Sequence, residues 1–196
     1  MEFETWGSNL SLGHGLRADV RAFLLGHGCP QTLAHVEQVA AEGARLASRF
    51  GASVRLARQA GLLHDVSAVI PPARRLELAR QWGLEIFPEE EALPMLLHQR
   101  FSAVLARQVF GARSPAVLSA IACHTTLRPG ATLLDKVVFV ADKISWDQPG
   151  PPPYLPSLLD ALNVSLDSAA RFYLDYLRRT LPRPLHPWAR AALEEI

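Results

Sequence analysis

The sequence has few of the features that mark secreted or membrane-embedded proteins. Only two of its 196 residues are cysteines, Cys29 and Cys123, so it lacks a disulfide framework, which favours a reducing cytosol. It has no run of about eighteen apolar residues, which argues against a transmembrane helix. Its first four residues, Met-Glu-Phe-Glu, lack the basic flank of a signal peptide. We therefore expect a cytoplasmic protein.

The sequence also lacks an excess of charge of either sign. Its formal net charge is +1, charged residues make up 20% of the chain, and Lys136 and Lys143 are the only lysines. Binding to duplex nucleic acid or to an anionic membrane normally requires a strongly basic surface. We therefore expect neither duplex nucleic acid nor a membrane among the partners. The composition leaves the assembly open, a homodimer included.

Apolar residues make up 49% of the chain and recur mostly at helical spacing. The pattern predicts an all-α protein of one domain, 1–196, with a core at about 31–146 and a C-terminal helical cover at about 155–196. The predicted helices span 31–50, 53–65, 71–80, 89–97, 102–110, 114–124, 133–145 and 155–181, with a short last helix that begins near His186. The proline-rich stretch 148–154 predicts a surface connection.

Several apolar runs end in side chains that can bind a metal. Burying an unpaired imidazole or carboxylate costs several kcal/mol, and a metal ion satisfies a group of them together. The six candidate metal ligands are His35, His64, Asp65, His98, His124 and Asp142. Four imidazoles and two carboxylates suffice for two ions if one carboxylate bridges them. Such nitrogen and oxygen ligands suit iron, manganese, cobalt or zinc better than calcium.

A dinuclear centre of this kind predicts hydrolysis of a phosphoester or phosphoanhydride. Two ions roughly 3.5 to 4 Å apart supply a hydroxide nucleophile and hold phosphate oxygens. Three alternatives stay open from the residues: a mononucleotide phosphohydrolase, a nucleotide-binding domain without catalysis, and a helical interaction module whose histidines are structural.

Five residues near the candidate ligands are candidates for contact with a phosphate. Thr125 and Thr126 can donate hydrogen bonds to phosphate oxygens, or cap a helix end. Lys143 can neutralise a phosphate, or lie on a solvated helix face. Arg100 and Arg128 carry guanidinium groups that match phosphate oxygens, with a solvated surface position as the alternative.

Aromatic residues and one cysteine also lie close to this pattern. Trp146, His186 and Trp188 can line a nucleobase pocket by stacking, or dock the C-terminal helix on the core. Cys123 precedes a candidate ligand, but its apolar neighbours predict a raised pKa and an inert thiol.

The sequence resembles the HD-domain metal phosphohydrolases over roughly residues 31–144. Within that family it is similar to the YqeK-type enzymes, which are symmetrical bis(5′-nucleosyl)-tetraphosphatases. The motifs that carry the resemblance are Ala60-Gly61-Leu62-Leu63-His64-Asp65, Leu96-Leu97-His98, Ala120-Ile121-Ala122-Cys123-His124-Thr125-Thr126 and Ala141-Asp142-Lys143-Ile144.

The resemblance implies an HD-domain helical bundle around a dinuclear iron centre. It implies a first ion bound by His35, His64, Asp65 and Asp142, and a second ion bound by Asp65, His98 and His124. Asp65, which would hold both ions, and Lys143, which would face a phosphate, are the candidate catalytic residues. The implied reaction splits diadenosine tetraphosphate into two ADP.

The sequence departs from the family pattern beside these ligands. Gln99 and Leu127 stand where glycine is usual, and Ser145-Trp146-Asp147-Gln148 replaces a continuation that usually begins Glu-Pro. No arginine stands just before His35. The resemblance therefore implies the same ligands within altered substrate-contacting surroundings.

Overall fold

The computed structural model describes Trp6 and residues 13–196, which contain helices and no strand. The α-helices are α1 (Leu16–Gly26), α2 (Pro30–Phe50), α3 (Val54–Leu63), α4 (Arg75–Gln81), α5 (Pro88–Ala92), α6 (His98–Gln108), α7 (Pro115–Ala122), α8 (Leu133–Ile144), α9 (Leu155–Val164), α10 (Leu166–Thr180) and α11 (Pro187–Glu195). Short 3-10 turns span Val66–Val69, Pro72–Arg74 and Pro94–Leu97. The all-α prediction is confirmed. The acidic N-terminal tetrapeptide lies outside the described residues.

Local signals define the ends of α2 and α3. Pro30 occupies the first turn of α2, where its missing N–H leaves no intrahelical bond unmade. Gly51 ends that helix with a φ of 79°, a conformation that favours glycine. Ser53 caps α3, because its hydroxyl accepts a hydrogen bond from the Leu56 N–H at 3.4 Å. These three ends agree with the predicted ones to within one residue, whereas α3 ends at Leu63, two residues before its predicted end.

The backbones of α2 and α3 touch where they cross. A Cβ added at Gly61 would lie 2.6 Å from Ala40 Cα and 2.8 Å from Ala40 N. Such contacts do not occur between real Cβ and backbone atoms, so only glycine allows this crossing. The close approach brings His64, just after α3, beside His35 of α2.

Helix α8 lies in the centre of the bundle, as its apolar sequence predicts. The run Val137–Ala141 is fully buried, and the helix packs against α2, α3, α7 and α10. Thr132 and Asp135 form a reciprocal capping box at its start. The helix thereby carries Asp142, in its last turn, into the middle of the fold.

The predicted helices 89–97 and 102–110 have different bounds in the structure. The first is interrupted at Leu93, whose φ of −138° and ψ of 81° are those of a residue held out of the helix by a following proline, Pro94. The second begins four residues earlier than predicted, at His98. His98 therefore starts a helix instead of ending one.

The predicted helix 155–181 is two helices, α9 and α10. Ser165 separates them in an extended conformation, and its hydroxyl accepts a hydrogen bond from the Ser168 N–H at 2.9 Å. The hydrophobic period continues across this cap, which is why the pattern predicted one helix. Helix α1 was not predicted, although Val20, Phe23 and Leu24 form its buried face at helical spacing.

The C-terminal segments pack on the bundle within one continuous apolar core, which includes Val20 at one end of the chain and Ala192 at the other. The proline-rich stretch is mostly exposed, as predicted, but Pro152 and Tyr154 are buried. The Tyr154 hydroxyl donates a hydrogen bond to the Lys143 carbonyl at 3.1 Å. None of the described helices combines the length and the apolar character needed to cross a membrane.

Candidate metal centre

Six side chains from five segments meet near the centre of the bundle. Each lies at or close to a helix end, except for the histidine in the second turn of α2. The structure places together His35 of α2, His64 and Asp65 after α3, His98 at the start of α6, His124 after α7 and Asp142 in the last turn of α8. All six candidate ligands predicted from the sequence therefore lie in one cluster.

The first part of this cluster contains two histidines and one carboxylate. His35 Nε2 lies 3.0 Å from Asp142 Oδ1 and 3.2 Å from His64 Nε2. His64 Nε2 lies 3.5 Å from the same oxygen of Asp142. These three ligand atoms are close enough together to bind one metal ion.

The second part of the cluster contains the other two histidines, and Asp65 lies between the two parts. His98 Nε2 and His124 Nε2 are 3.0 Å apart. Asp65 Oδ1 lies 3.4 Å and 3.5 Å from these two atoms. Its other oxygen, Oδ2, lies 3.7 Å from His64 Nε2 and 4.0 Å from His35 Nε2. One carboxylate oxygen thus faces each histidine pair.

Backbone carbonyls fix the orientation of three of the rings. The Nδ1 atoms of His64, His98 and His124 lie 2.8, 2.6 and 2.8 Å from the carbonyl oxygens three residues earlier. A carbonyl only accepts, so Nδ1 carries the proton and Nε2 presents a lone pair in the neutral ring. The lone pairs of His98 and His124, 3.0 Å apart, repel each other unless a cation joins them. The donor set therefore fits a metal ion.

The charges of the cluster favour the ligand forms of its carboxylates. Burial alone would raise the pKa of Asp65, but His64, His124 and His98 outweigh it and hold that pKa well below its usual value. Burial would also raise the pKa of Asp142, but the positive charge of Lys143, together with His35 and His64, outweighs burial and lowers that pKa. Burial lowers the pKa of His98 to about 4, whereas at His64 the effect of burial is outweighed by Asp65 and Asp142, which raise the pKa of that ring. Neutral imidazole and ionised carboxylate are the forms that bind metals.

Lys143 lies inside this region and not on a solvated helix face. Its Nζ is 2.5 Å from Asp142 Oδ2, and its side chain is about 10% exposed. The ammonium group also lies 5.4 Å from the Phe139 ring centre and 5.5 Å from the Tyr173 ring centre. The structure thus places a positive charge beside the candidate metal centre. The sequence alone allowed either a position facing a phosphate or one on a solvated helix face.

The two threonines after His124 have different surroundings. Thr125 Oγ1 lies 3.1 Å from His98 Nε2, at the centre, whereas the Thr126 hydroxyl is buried and donates a hydrogen bond to the Leu127 carbonyl at 2.8 Å. Gln99, fully buried, holds this segment: its Oε1 accepts the N–H groups of Thr125 and Thr126 at 3.0 and 3.3 Å. The sequence singled out Gln99 only as an unusual residue.

The two arginines that are candidates for contact with a phosphate, Arg100 and Arg128, pair with carboxylates outside the six-residue cluster. Arg100 forms an ion pair with the buried carboxylate of Glu90 at 2.5 Å, and Arg128 forms one with buried Asp135 at 3.0 Å. Neither arginine lines a cavity that contains the candidate ligands. Each guanidinium group pairs with a buried carboxylate, because an unpaired charge in the protein interior would have a high cost in free energy.

The aromatic residues also separate into two groups. Trp146 lies in the walls of both cavities beside the centre. His186 and Trp188 instead pack edge-on against Phe87, with ring centres 4.8 and 6.1 Å from it, and so dock α11 on the domain. The packing interpretation therefore applies to these two. Cys123 is buried, and burial raises the pKa of its thiol as expected.

Two cavities adjoin the cluster and share His35, Asp65 and the stretch Trp146–Gln148. One, of about 480 Å³, contains the histidines His98 and His124 together with Lys143. The other, of about 670 Å³, extends along the start of α2 toward Asp147. A third cavity of about 560 Å³, between α10 and α11, contains none of the six candidate ligands. The first two cavities are therefore the ones that adjoin the candidate centre.

Comparison with known proteins agrees with this fold. The HD domain family matches residues 32–147. The structure is similar to that of a protein from Clostridium acetobutylicum described as a predicted HD superfamily hydrolase involved in NAD metabolism. That similarity has a TM-score of 0.83, with 26% sequence identity, and covers 93% of this chain and 97% of the other.

Sequence relatives extend the comparison. An uncharacterized protein in the pepC 5′ region of Lactococcus lactis subsp. cremoris is 43% identical over 137 residues, 70% of each chain. The symmetrical bis(5′-nucleosyl)-tetraphosphatase of Bacillus subtilis is 37% identical over 101 residues, and the match spans 50% of this chain and 53% of that enzyme.

A helical bundle that gathers histidines and aspartates from its helix ends defines a class of metal-binding hydrolases. Within that class, the chain belongs to the HD domain family and is a phosphohydrolase of that family.

Proposed function

We propose that the chain hydrolyses phosphoanhydride bonds of nucleotides with two bound transition metal ions, and that its substrate is diadenosine tetraphosphate, which it splits into two ADP. The observation that carries this proposal is the position of Asp65, which turns one oxygen to each histidine pair. The similarity to symmetrical bis(5′-nucleosyl)-tetraphosphatases supports the substrate. The chain spans about half the length of those curated relatives.

The six clustered side chains would hold the two ions as two sets that share one carboxylate. One set is His35, His64, Asp65 and Asp142, and the other is Asp65, His98 and His124. Iron is the metal we propose, since imidazole with carboxylate suits it, and manganese, cobalt and zinc accept the same donors. When bound, such ions activate water and polarise phosphoryl oxygens.

The protein's own side chains would orient the phosphate chain. Lys143 places its ammonium group in the cavity of about 480 Å³, where it attracts phosphate oxygens. Thr125 presents a hydroxyl beside His98 that can donate a hydrogen bond to a phosphate oxygen. Cys123, the one thiol near the centre, is buried and protonated, so no cysteine acts as the nucleophile. A cytoplasmic location fits the two free cysteines.

The experiment is a product-resolved assay of metal-loaded protein on diadenosine tetraphosphate. Symmetrical hydrolysis gives ADP as the sole nucleotide product, whereas asymmetrical cleavage gives ATP and AMP. Asp65→Ala should abolish turnover and weaken metal binding, because it removes the carboxylate shared by both sets. The matched control is Asp160→Ala, an exposed carboxylate of α9. Undiminished turnover in Asp65→Ala would contradict the proposal.

A mononucleotide phosphohydrolase is the second candidate. The residues that depart from the family pattern, Gln99 and Trp146–Gln148, contact or line the same centre and favour an altered substrate. A panel of mononucleotides in the same assay separates the two activities, because both would use the same six ligands. A purely nucleotide-binding role is disfavoured by the complete ligand set.

A further inference from the structure

The larger cavity beside the centre is the starting point. It measures about 670 Å³, within the range of roughly 300–1,000 Å³ usual for small-molecule pockets. His35 and Asp65 form one end of it, and the Trp146–Pro149 stretch forms a wall. A molecule held at the centre by a phosphate would therefore extend its remaining part into this cavity.

The two cavities share the carboxylates of Asp65 and Asp147 and differ in their basic side chains. Among the described residues that line the larger one, none is lysine or arginine, and the acidic ones are Asp65 and Asp147. The smaller cavity has the carboxylates of Asp65, Asp142 and Asp147 in its walls, but it also contains Lys143, whose ammonium group pairs with Asp142, and three of the four clustered histidines. A phosphate chain carries several negative charges and is repelled by uncompensated carboxylates. The phosphates therefore belong on the Lys143 side, and the larger cavity suits an uncharged, polar group.

The polar groups of the larger cavity match a nucleoside. Gln31, Gln38 and Gln148 line it with amides that both donate and accept hydrogen bonds, as the edges of nucleobases require. The Asp147 carboxylate is exposed, and in the described part of the chain it pairs with no basic side chain. It accepts one hydrogen bond, from the neighbouring Gln148 amide at 3.1 Å. A carboxylate with free acceptor positions is the group that dinucleotide-binding proteins use for ribose hydroxyls.

We propose that this cavity binds the nucleoside part of the substrate, with Asp147 accepting hydrogen bonds from the 2′- and 3′-hydroxyls of the ribose. This assignment rests on the proposed function, because it presumes that the phosphate chain lies at the six-ligand centre. Asp147 is then a specificity residue for ribonucleotides, and it stands in the segment where the sequence departs from the family pattern.

Equilibrium binding tests this assignment without turnover. ADP and its 2′,3′-dideoxy counterpart are titrated by calorimetry into the Mn(II)-loaded wild-type protein and the variant Asp147→Asn. A hydrogen bond to a charged group predicts that the wild type binds ADP at least about tenfold more tightly than the dideoxy nucleotide. In Asp147→Asn we expect this ratio to fall to about threefold or less, since a neutral acceptor is weaker. The matched control, Asp160→Asn, keeps the wild-type ratio.

Two results would overturn the assignment. One is an equal preference for ADP in the wild type and in Asp147→Asn. The other is tighter binding of both nucleotides by Asp147→Asn. That result would mean that the Asp147 carboxylate repels a phosphate, so that a phosphate and not the nucleoside lies in this cavity. Failure of the proposed function would give a different result. The protein would cleave no dinucleotide but would still prefer ADP to the dideoxy nucleotide through Asp147. The nucleoside site would then stand, and only the proposed reaction would be wrong.

Discussion

His98 and Asp65 face each other across the centre, with 3.4 Å between the imidazole Nε2 and the carboxylate Oδ1. The other oxygen of Asp65 faces the opposite pair of histidines. The carboxylate therefore belongs to both halves of the cluster, whereas His98 belongs to one. Substitution of the two residues should have different effects on the metal content.

His98→Ala should remove one ion and retain the other. It deletes a ligand of the second set and leaves His35, His64 and Asp142 in place. Metal analysis of protein purified under anaerobic, reducing conditions should give close to half of the wild-type content, and hydrolysis should fall by at least roughly 100-fold, more than the 10- to 100-fold loss usual for outer-shell partners. His27→Ala, at an exposed histidine, is the control. Equal loss of both ions would contradict the division into two sets.

Removal of the metal should lower the thermal stability of the protein. Without ions, four rings and two carboxylates remain gathered in a buried cluster. An ion that binds only the folded state at about 100 times its dissociation constant adds about 2.7 kcal/mol to the free energy of unfolding. Calorimetric scans before and after chelation, and after addition of Fe(II) or Mn(II), measure this effect. Identical scans would favour the interpretation of a helical module with structural histidines.

Gly61→Ala should destabilise the fold. The added Cβ would meet the Ala40 backbone at 2.6 Å, so α2 and α3 would have to separate, at a cost of about 1–3 kcal/mol. Gly43→Ala is the matched control, because the atom nearest to its added Cβ would lie 3.6 Å away, an ordinary van der Waals contact. Alanine also has a helix propensity about 1 kcal/mol more favourable than that of glycine. Denaturant unfolding should show a loss for Gly61→Ala and none for Gly43→Ala. Equal stabilities would mean that the helices adjust without cost.

Gln99→Leu should reduce turnover without changing the metal content. The substitution leaves the buried N–H groups of Thr125 and Thr126 without their acceptor, at a cost of about 1–3 kcal/mol in stability. Because Thr125 then loses its fixed position beside His98, kcat should fall at unchanged ion content. Gln108→Leu, at an exposed position of α6, is the control. Unchanged kcat in Gln99→Leu would limit this residue to a structural role.

The sequence predicted most of the bundle because local signals mark many of its helix ends. Ser53 and Ser114 stand at the starts of the predicted helices 53–65 and 114–124, and the hydroxyl of each accepts a backbone hydrogen bond of the helix that follows. Apolar runs that end in His or Asp indicated five of the six clustered residues, and His35 was added because it lies next to the apolar face of its helix. The structure places all six together, while their role as ligands stays a prediction. Ser165 was missed because the hydrophobic period of α9 continues into α10.

Tertiary partners account for what the sequence could not predict. The positions of Arg100 and Arg128 depend on buried carboxylates, Glu90 and Asp135, whose burial no local pattern reveals. Gln99 acts on a segment 26 residues away, and its unusual place in the motif was the only signal. The contact between Gly61 and α2 likewise exists only in the folded bundle.

The hydrogen bonds between the ring nitrogens and the helix-end carbonyls affect how the centre would bind a metal ion. His64, His98 and His124 are held by carbonyls of their own segments, so their orientation is fixed when the helices form. The entropy of ordering these rings is then lost during folding and not during metal capture. An arriving ion therefore meets donors whose orientation is already set.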